Sequence, residues 1–162
     1  MKWNRKFVYP KSIRSTDNGI RRYLIGEKKL PSVTSILDAT KSEEDKAALA
    51  NWVERTGLKE SEAIVKAASS RGSKMHAYLE SFLLGRENLS FFDDNEQYKI
   101  MAKQIIEKGL INRFEEVWGV ECTLYKPDSY SGTCDAVGVY DGRESIIDFK
   151  QSNKPKKFEF ID

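Results

Sequence analysis

The chain has 162 residues, 40% hydrophobic and 32% charged, which is one domain's length with enough apolar side chains to bury a core. A formal net charge of +2 excludes a strongly basic nucleic-acid coat, so contact with a polyanion must come from local patches. Two cysteines, Cys122 and Cys134, exclude a disulfide framework and a four-cysteine metal or iron–sulfur centre within the chain; no apolar run reaches membrane-spanning length, and no signal-peptide core follows Lys2, Arg5 and Lys6. Free thiols in a reducing cytosol are therefore expected, with no membrane partner.

Residues 6–30 read as one or two strands. Asp17-Asn18-Gly19 is turn chemistry, Arg22-Tyr23-Leu24-Ile25 is strand-like, and Gly26 begins a second turn. Ser32 or Thr34 can cap a short helix. Ser42-Glu43-Glu44-Asp45 resembles a capping box and opens a helix to about Thr56 that stops at Gly57. The stripe Leu49, Trp52 and Val53 on that helix is expected to be core. A longer helical region spans about Leu58 to Leu84, with a seam of Ile64, Ala68, Met75, Leu79, Phe82 and Leu83. Gly72 lies inside it, after the small run Ala67-Ala68-Ser69-Ser70, and marks either a close backbone approach or a break into two helices. The one histidine, His76, borders the seam with Glu80 four residues on, so Gly72, His76 and Glu80 share a helix face. On this helix alone the plain reading is a half-buried histidine bonded to Glu80; the alternative makes His76 a metal ligand.

Asp93 or Asp94 is expected to cap a further helix to about Lys108, with Tyr98, Met101, Ile105 and Ile106 on its core face and Gly109 as its stop. Leu110 to Trp118 is ambiguous. Val117 to Tyr125 reads as a strand, and Lys126-Pro127-Asp128 as the turn after it. Glu121 on that strand is either a solvent-facing position or close enough to reach the site described next.

Two strand-like runs flank Asp141-Gly142, a strong hairpin signal. A two-residue turn there sets Asp135 opposite Asp148, and like charges facing each other across a sheet destabilise it. Strand alternation puts Lys150 on the same face as Asp148. Asp148 itself interrupts an apolar run, Ile146-Ile147-Asp148-Phe149, where a lone buried carboxylate is costly. A divalent cation between the two acids resolves both conflicts. Beyond it, Lys154, Lys156 and Lys157 form either a phosphate-binding patch or a solvated basic loop.

Asp135, twelve residues, then Asp148-Phe149-Lys150 resembles the signature of the PD-(D/E)xK nucleases, and His76 with Glu80 resembles the histidine motif of their RecB-type branch. Pro31-Ser32-Val33-Thr34, Ala39-Thr40, Ser131-Gly132-Thr133 and Lys154-Pro155-Lys156 are similar to the mitochondrial genome maintenance exonuclease group and its phage-encoded relatives. The resemblance implies a single α+β, restriction-endonuclease-like domain over residues 1–162, with a mixed central sheet and N-terminal helices packed on it. It implies Mg²⁺ or Mn²⁺ held by His76, Asp135, Asp148 and the carbonyl of Phe149. Lys150 would act on the attacking water, Glu80, Glu121 and Gln151 would support the ligands, and Lys154, Lys156 and Lys157 would bind nucleic acid. The expected partner is DNA, single-stranded at its ends, in replication, recombination or repair in the cytosol of a phage host or bacterium. Duplex-DNA exonuclease or endonuclease activity, and a non-catalytic DNA-binding remnant, are the alternatives. The branch normally carries a later helix with a Gln-x-x-x-Tyr motif; the chain ends at Phe160-Ile161-Asp162, so a C-terminally truncated domain is expected.

Overall fold

The computed structural model describes residues 1–86 and 96–152. The proposed cap at Asp93 or Asp94 and the basic patch at Lys154, Lys156 and Lys157 lie outside them. Among the described residues the fold is α+β, with four α-helices and two sheets. The larger sheet has the order β1 (Lys2–Trp3), β5 (Phe114–Lys126), β6 (Tyr130–Tyr140), β7 (Arg143–Ile147). It is mixed, because β1 runs parallel to β5 while β5, β6 and β7 form an antiparallel meander. The smaller sheet is the meander β2 (Ile13–Asp17), β3 (Ile20–Ile25) and β4 (Lys28–Pro31). An isolated parallel bridge, Ser32 to Ser131, links the two sheets.

The turns follow their residues. Asn18-Gly19 and Asp141-Gly142 both take positive φ at both positions (51° and 78°; 47° and 73°), the mirror-image turn whose twist matches a two-residue hairpin. The second turn sets the register as expected: Ala136 pairs with Ile147 and Tyr140 with Arg143.

Helix α1 (Val33–Ala39) is capped by Ser32, and α2 (Glu43–Thr56) by Ser42, whose hydroxyl accepts from the Asp45 amide at 3.1 Å. Gly57, at φ 87°, ends α2. The stripe on α2 is not core: among the described residues α2 buries none of its side chains, and Leu49 is 53% exposed. Helix α2 packs chiefly on α3 (Leu58–Leu83), and its apolar face is left uncovered. The seam of α3 is likewise core only in its C-terminal half. Met75, Leu79 and Leu83 are buried against Phe114, Val117, Ala136 and Phe149, whereas Ile64 is 43% exposed. Burying each of those three side chains contributes about 2 kcal/mol. Helix α4 (Gln97–Ile105) and the wider π-helical turn Ile106–Leu110 close this core with Ala102, Ile106 and Leu110. A second, smaller cluster on the other sheet face holds Trp118, Cys122, Cys134 and Val137, with Tyr9 packed on it; both cysteines are free thiols.

Helix α3 is continuous through Gly72, which settles the two readings of that glycine. A Cβ on Gly72 would lie 2.9 Å from Nε2 of Gln151. That amide also donates to the Ala68 carbonyl, while Arg71 Nε donates to Gln151 Oε1 at 2.7 Å. The small residues of α3 are thus a notch that receives Gln151 and pins the chain leaving the sheet onto the helix.

Candidate active site

Three elements converge where α3 crosses the sheet. His76 on α3, Glu121 on β5 and Asp135 on β6 bring one nitrogen and two carboxylate oxygens within 4.8 Å of one another. Nδ1 of His76 lies 3.0 Å from Oδ1 of Asp135, and the Phe149 amide donates to Oδ2 of the same carboxylate. Bonding to Asp135 places the proton on Nδ1 and leaves Nε2 as the acceptor of a neutral ring. His76 therefore turns to Asp135, not to Glu80, which pairs with Arg86 at 3.5 Å.

Glu121 and Asp135 lie at one level of the β5–β6 ladder, between the pairs Val120–Ala136 and Cys122–Cys134. Strand alternation fails there on both strands. Val120 packs on the main core and the next residue, Glu121, joins the site on the same face; Asp135 and Ala136 do the same. Glu121 takes φ 50°, a left-handed conformation that costs a non-glycine residue about 1 kcal/mol. Local strain is thus coupled to a like-charge pair across the sheet.

The ladder between β6 and β7 ends at Ala136–Ile147, so Asp148, Phe149 and Lys150 follow the strand in an irregular segment. Phe149 is buried in the main core, with its ring 6.3 Å from the imidazole of His76. Asp148 is not the buried lone carboxylate expected: its side chain is 49% exposed and bonded to Lys150 at 2.5 Å. It stands outside the triangle of His76, Glu121 and Asp135, yet near enough for its charge to act on Glu121. Gln151 is turned away from the acids into its notch on α3.

The electrostatics report a local excess of negative charge. The Glu121 carboxyl is pushed up by burial and then by the charges of Asp135 and Glu80, with Asp148 adding to them and His76 opposing. The hydrogen bond to Asp135 raises His76, burial opposes it, and the charge of Asp135 adds to the rise while that of Lys150 opposes it. Both shifts have the same consequence for stability. His76's contribution is complete below the ordinary imidazole value of about 6.5 and is lost as pH rises through its raised native value. Glu121's penalty appears as pH rises through its raised carboxyl range. The metal-free protein is therefore expected to melt at a lower temperature at mildly alkaline than at mildly acidic pH, with Mn²⁺ flattening the dependence. Glu121→Gln is expected to raise the melting temperature of the metal-free protein and to shrink the stabilisation by Mn²⁺. Equal stabilisation of variant and wild type by Mn²⁺, read by thermal denaturation, would remove Glu121 from the site.

The donor set fits a divalent cation. Two hard carboxylate oxygens with one imidazole suit Mg²⁺ or Mn²⁺, the nitrogen favouring Mn²⁺. Glu121 had been placed only as a supporting neighbour. Counting back across the hairpin at Lys126–Tyr130, as at Asp141-Gly142, sets it opposite Asp135, and that was the signal available.

Two acids and a histidine meet within 4.8 Å beside Asp148-Phe149-Lys150, and two sequence relatives share much of the chain. The chain is 30% identical over 137 residues, 80% of its length, to mitochondrial genome maintenance exonuclease 1 of Homo sapiens. Identity is also 30% over 132 residues, 78% of the chain, with the Mus musculus protein of the same name. The chain spans 38% of the length of each of these relatives. No family model matches it. No helix among the described residues is long and apolar enough to cross a membrane.

Proposed function

We propose that the chain is a PD-(D/E)xK nuclease domain of the RecB-type branch, with a restriction-endonuclease-like core, that hydrolyses DNA from single-stranded ends with Mg²⁺ or Mn²⁺. The convergence of His76, Glu121 and Asp135 within 4.8 Å carries this reading, with the Asp148–Lys150 pair at the adjoining strand end. The relatives named as exonucleases support it.

His76, Asp135 and Asp148, with the Phe149 carbonyl, would hold the cation, and Glu121 would add its carboxylate. The bound cation would polarise the phosphoryl group under attack. Asp135 orients the imidazole and, through the Phe149 amide, fixes the strand end that bears Asp148 and Lys150. Asp148 holds the Lys150 ammonium at the mouth of a cleft of ≈ 620 Å³ that also contains Arg21, Tyr125 and Tyr130. A strand laid in that cleft has cations for its phosphates and phenol rings for its bases. Lys150 then faces the negative charge that grows on the phosphoryl oxygens and holds the attacking water by hydrogen bonding.

The test is cleavage of end-labelled linear single strands, circular single strands and blunt duplexes with Mn²⁺ and with a chelator. Linear single strands are expected to be shortened in metal alone, and Lys150→Ala is expected to slow this by about 10²–10³-fold. Cleavage that survives chelation, or that is unchanged in Lys150→Ala, would rule out this site. Cutting of circular strands would replace the exonuclease by an endonuclease.

A further inference from the structure

A second groove, of ≈ 890 Å³, lies between the N-terminal segment and β5, and shares Tyr23 and Thr133 with the Asp148–Lys150 cleft. Three observations distinguish it from an ordinary solvated edge. First, its cations are unspent. Arg5, Lys11 and Arg14 line it, are exposed, and carry no ion pair among the described residues. Lys6, Lys28 and Lys29, by contrast, are paired with Glu144, Asp128 and Asp17. Second, aromatic rings are presented rather than buried. Trp3 is 42% and Phe7 48% exposed, and Phe7 is propped on the ring of Trp118 at 5.5 Å between centroids. Third, the one carboxylate in the described lining is Glu121, a member of the cation-binding triangle, so the groove opens onto the candidate active site.

Unpaired cations alternating with exposed rings are the recognition chemistry of an unpaired polynucleotide, because phosphates need charge and bases stack only where they are not already paired. We propose that this groove holds the part of a single-stranded polynucleotide that extends past the phosphate being cut, with phosphates on Arg5, Lys11 and Arg14 and bases on Trp3 and Phe7. This rests on the nuclease reading only in giving the strand its direction toward Glu121; the groove's own chemistry stands apart from it.

The experiment measures binding without turnover: the full chain, in chelator, with fluorescent oligo-dT, by anisotropy and by tryptophan quenching. Two of the three tryptophans, Trp3 and Trp118, line the groove, while Trp52 lies on α2. Quenching is therefore expected to persist in Trp52→Phe. Arg5→Glu combined with Arg14→Glu is expected to weaken binding about tenfold or more and to flatten the dependence of log affinity on log salt by about 1.4, two single-strand phosphate contacts. Phe7→Ala is expected to weaken binding about fivefold or more with the salt slope unchanged. Wild-type affinity in both, quenching that disappears with Trp52, or blunt duplex bound as tightly as the single strand would overturn the proposal. No cleavage in Mn²⁺, with binding still sensitive to these substitutions, would remove the nuclease reading and support the groove.

Discussion

Asp135→Asn is expected to reduce metal-dependent cleavage by about 10³-fold or more while the protein stays folded. Asp135 accepts from His76 through one oxygen and from the Phe149 amide through the other. An asparagine has one acceptor oxygen and presents an amino group to the second donor, so either the imidazole or the strand end loses its partner. It also removes half of the carboxylate pair that attracts a cation. Stability is expected to change little, because the lost hydrogen bond, about 1 kcal/mol, is offset by relief of the repulsion with Glu121. Single-turnover cleavage with Mn²⁺, alongside circular dichroism, checks both halves. A rate within tenfold of wild type would place the chemistry elsewhere.

Gly138→Ala is expected to be the most damaging single methyl in the chain. A Cβ there would lie 1.9 Å from the carbonyl oxygen of Glu116 and 2.5 Å from the ring of Phe114. The oxygen is backbone of the neighbouring strand, and the two irregularities in the β5–β6 ladder, at Phe114/Glu116 and Val117/Gly119, fall on either side of the contact. Relief requires parting the central strand pair of the larger sheet. A loss of about 3 kcal/mol or more is expected, which for a chain of this size lowers the melting temperature by about 6–12 °C. Gly132→Ala is the control: its new methyl meets only Val33, at 3.6 Å, and a change within about 1 kcal/mol is expected. Equal melting temperatures for the two variants would contradict the close approach at Gly138.

Local chemistry in this chain was legible where one or two residues decide the outcome. Asp141-Gly142 dictates a turn whose register puts the neighbours of Asp135 and Asp148 opposite each other, and Ser42 and Gly57 bound α2. The stripe on α2 was misread because periodicity shows that a helix has an apolar face, not that something covers it. The parallel pairing of β1 with β5 joins residues more than a hundred positions apart and leaves no mark in either segment. Most of the candidate site's members were visible, but its inner geometry was not. Alternation assigns Val120 and Glu121 to opposite faces, and only the left-handed backbone at Glu121 puts them together. The partner of His76 depended on which strand α3 crosses, a tertiary fact that the nearby Glu80 concealed.

The notch that receives Gln151 also has a consequence in time. Its contact with Ala68 spans 83 positions, and that of His76 with Asp135 spans 59. Each closes only after the intervening chain has been made, at about 5–20 residues per second on a ribosome, so α3 exists for several seconds before its partners emerge. During that interval neither half of the candidate site can bind a cation as the assembled site would. The pairings that complete it also have high contact order, so they belong among the slow steps of folding. A cation site assembled in this way forms only once the chain as far as Gln151 has been made.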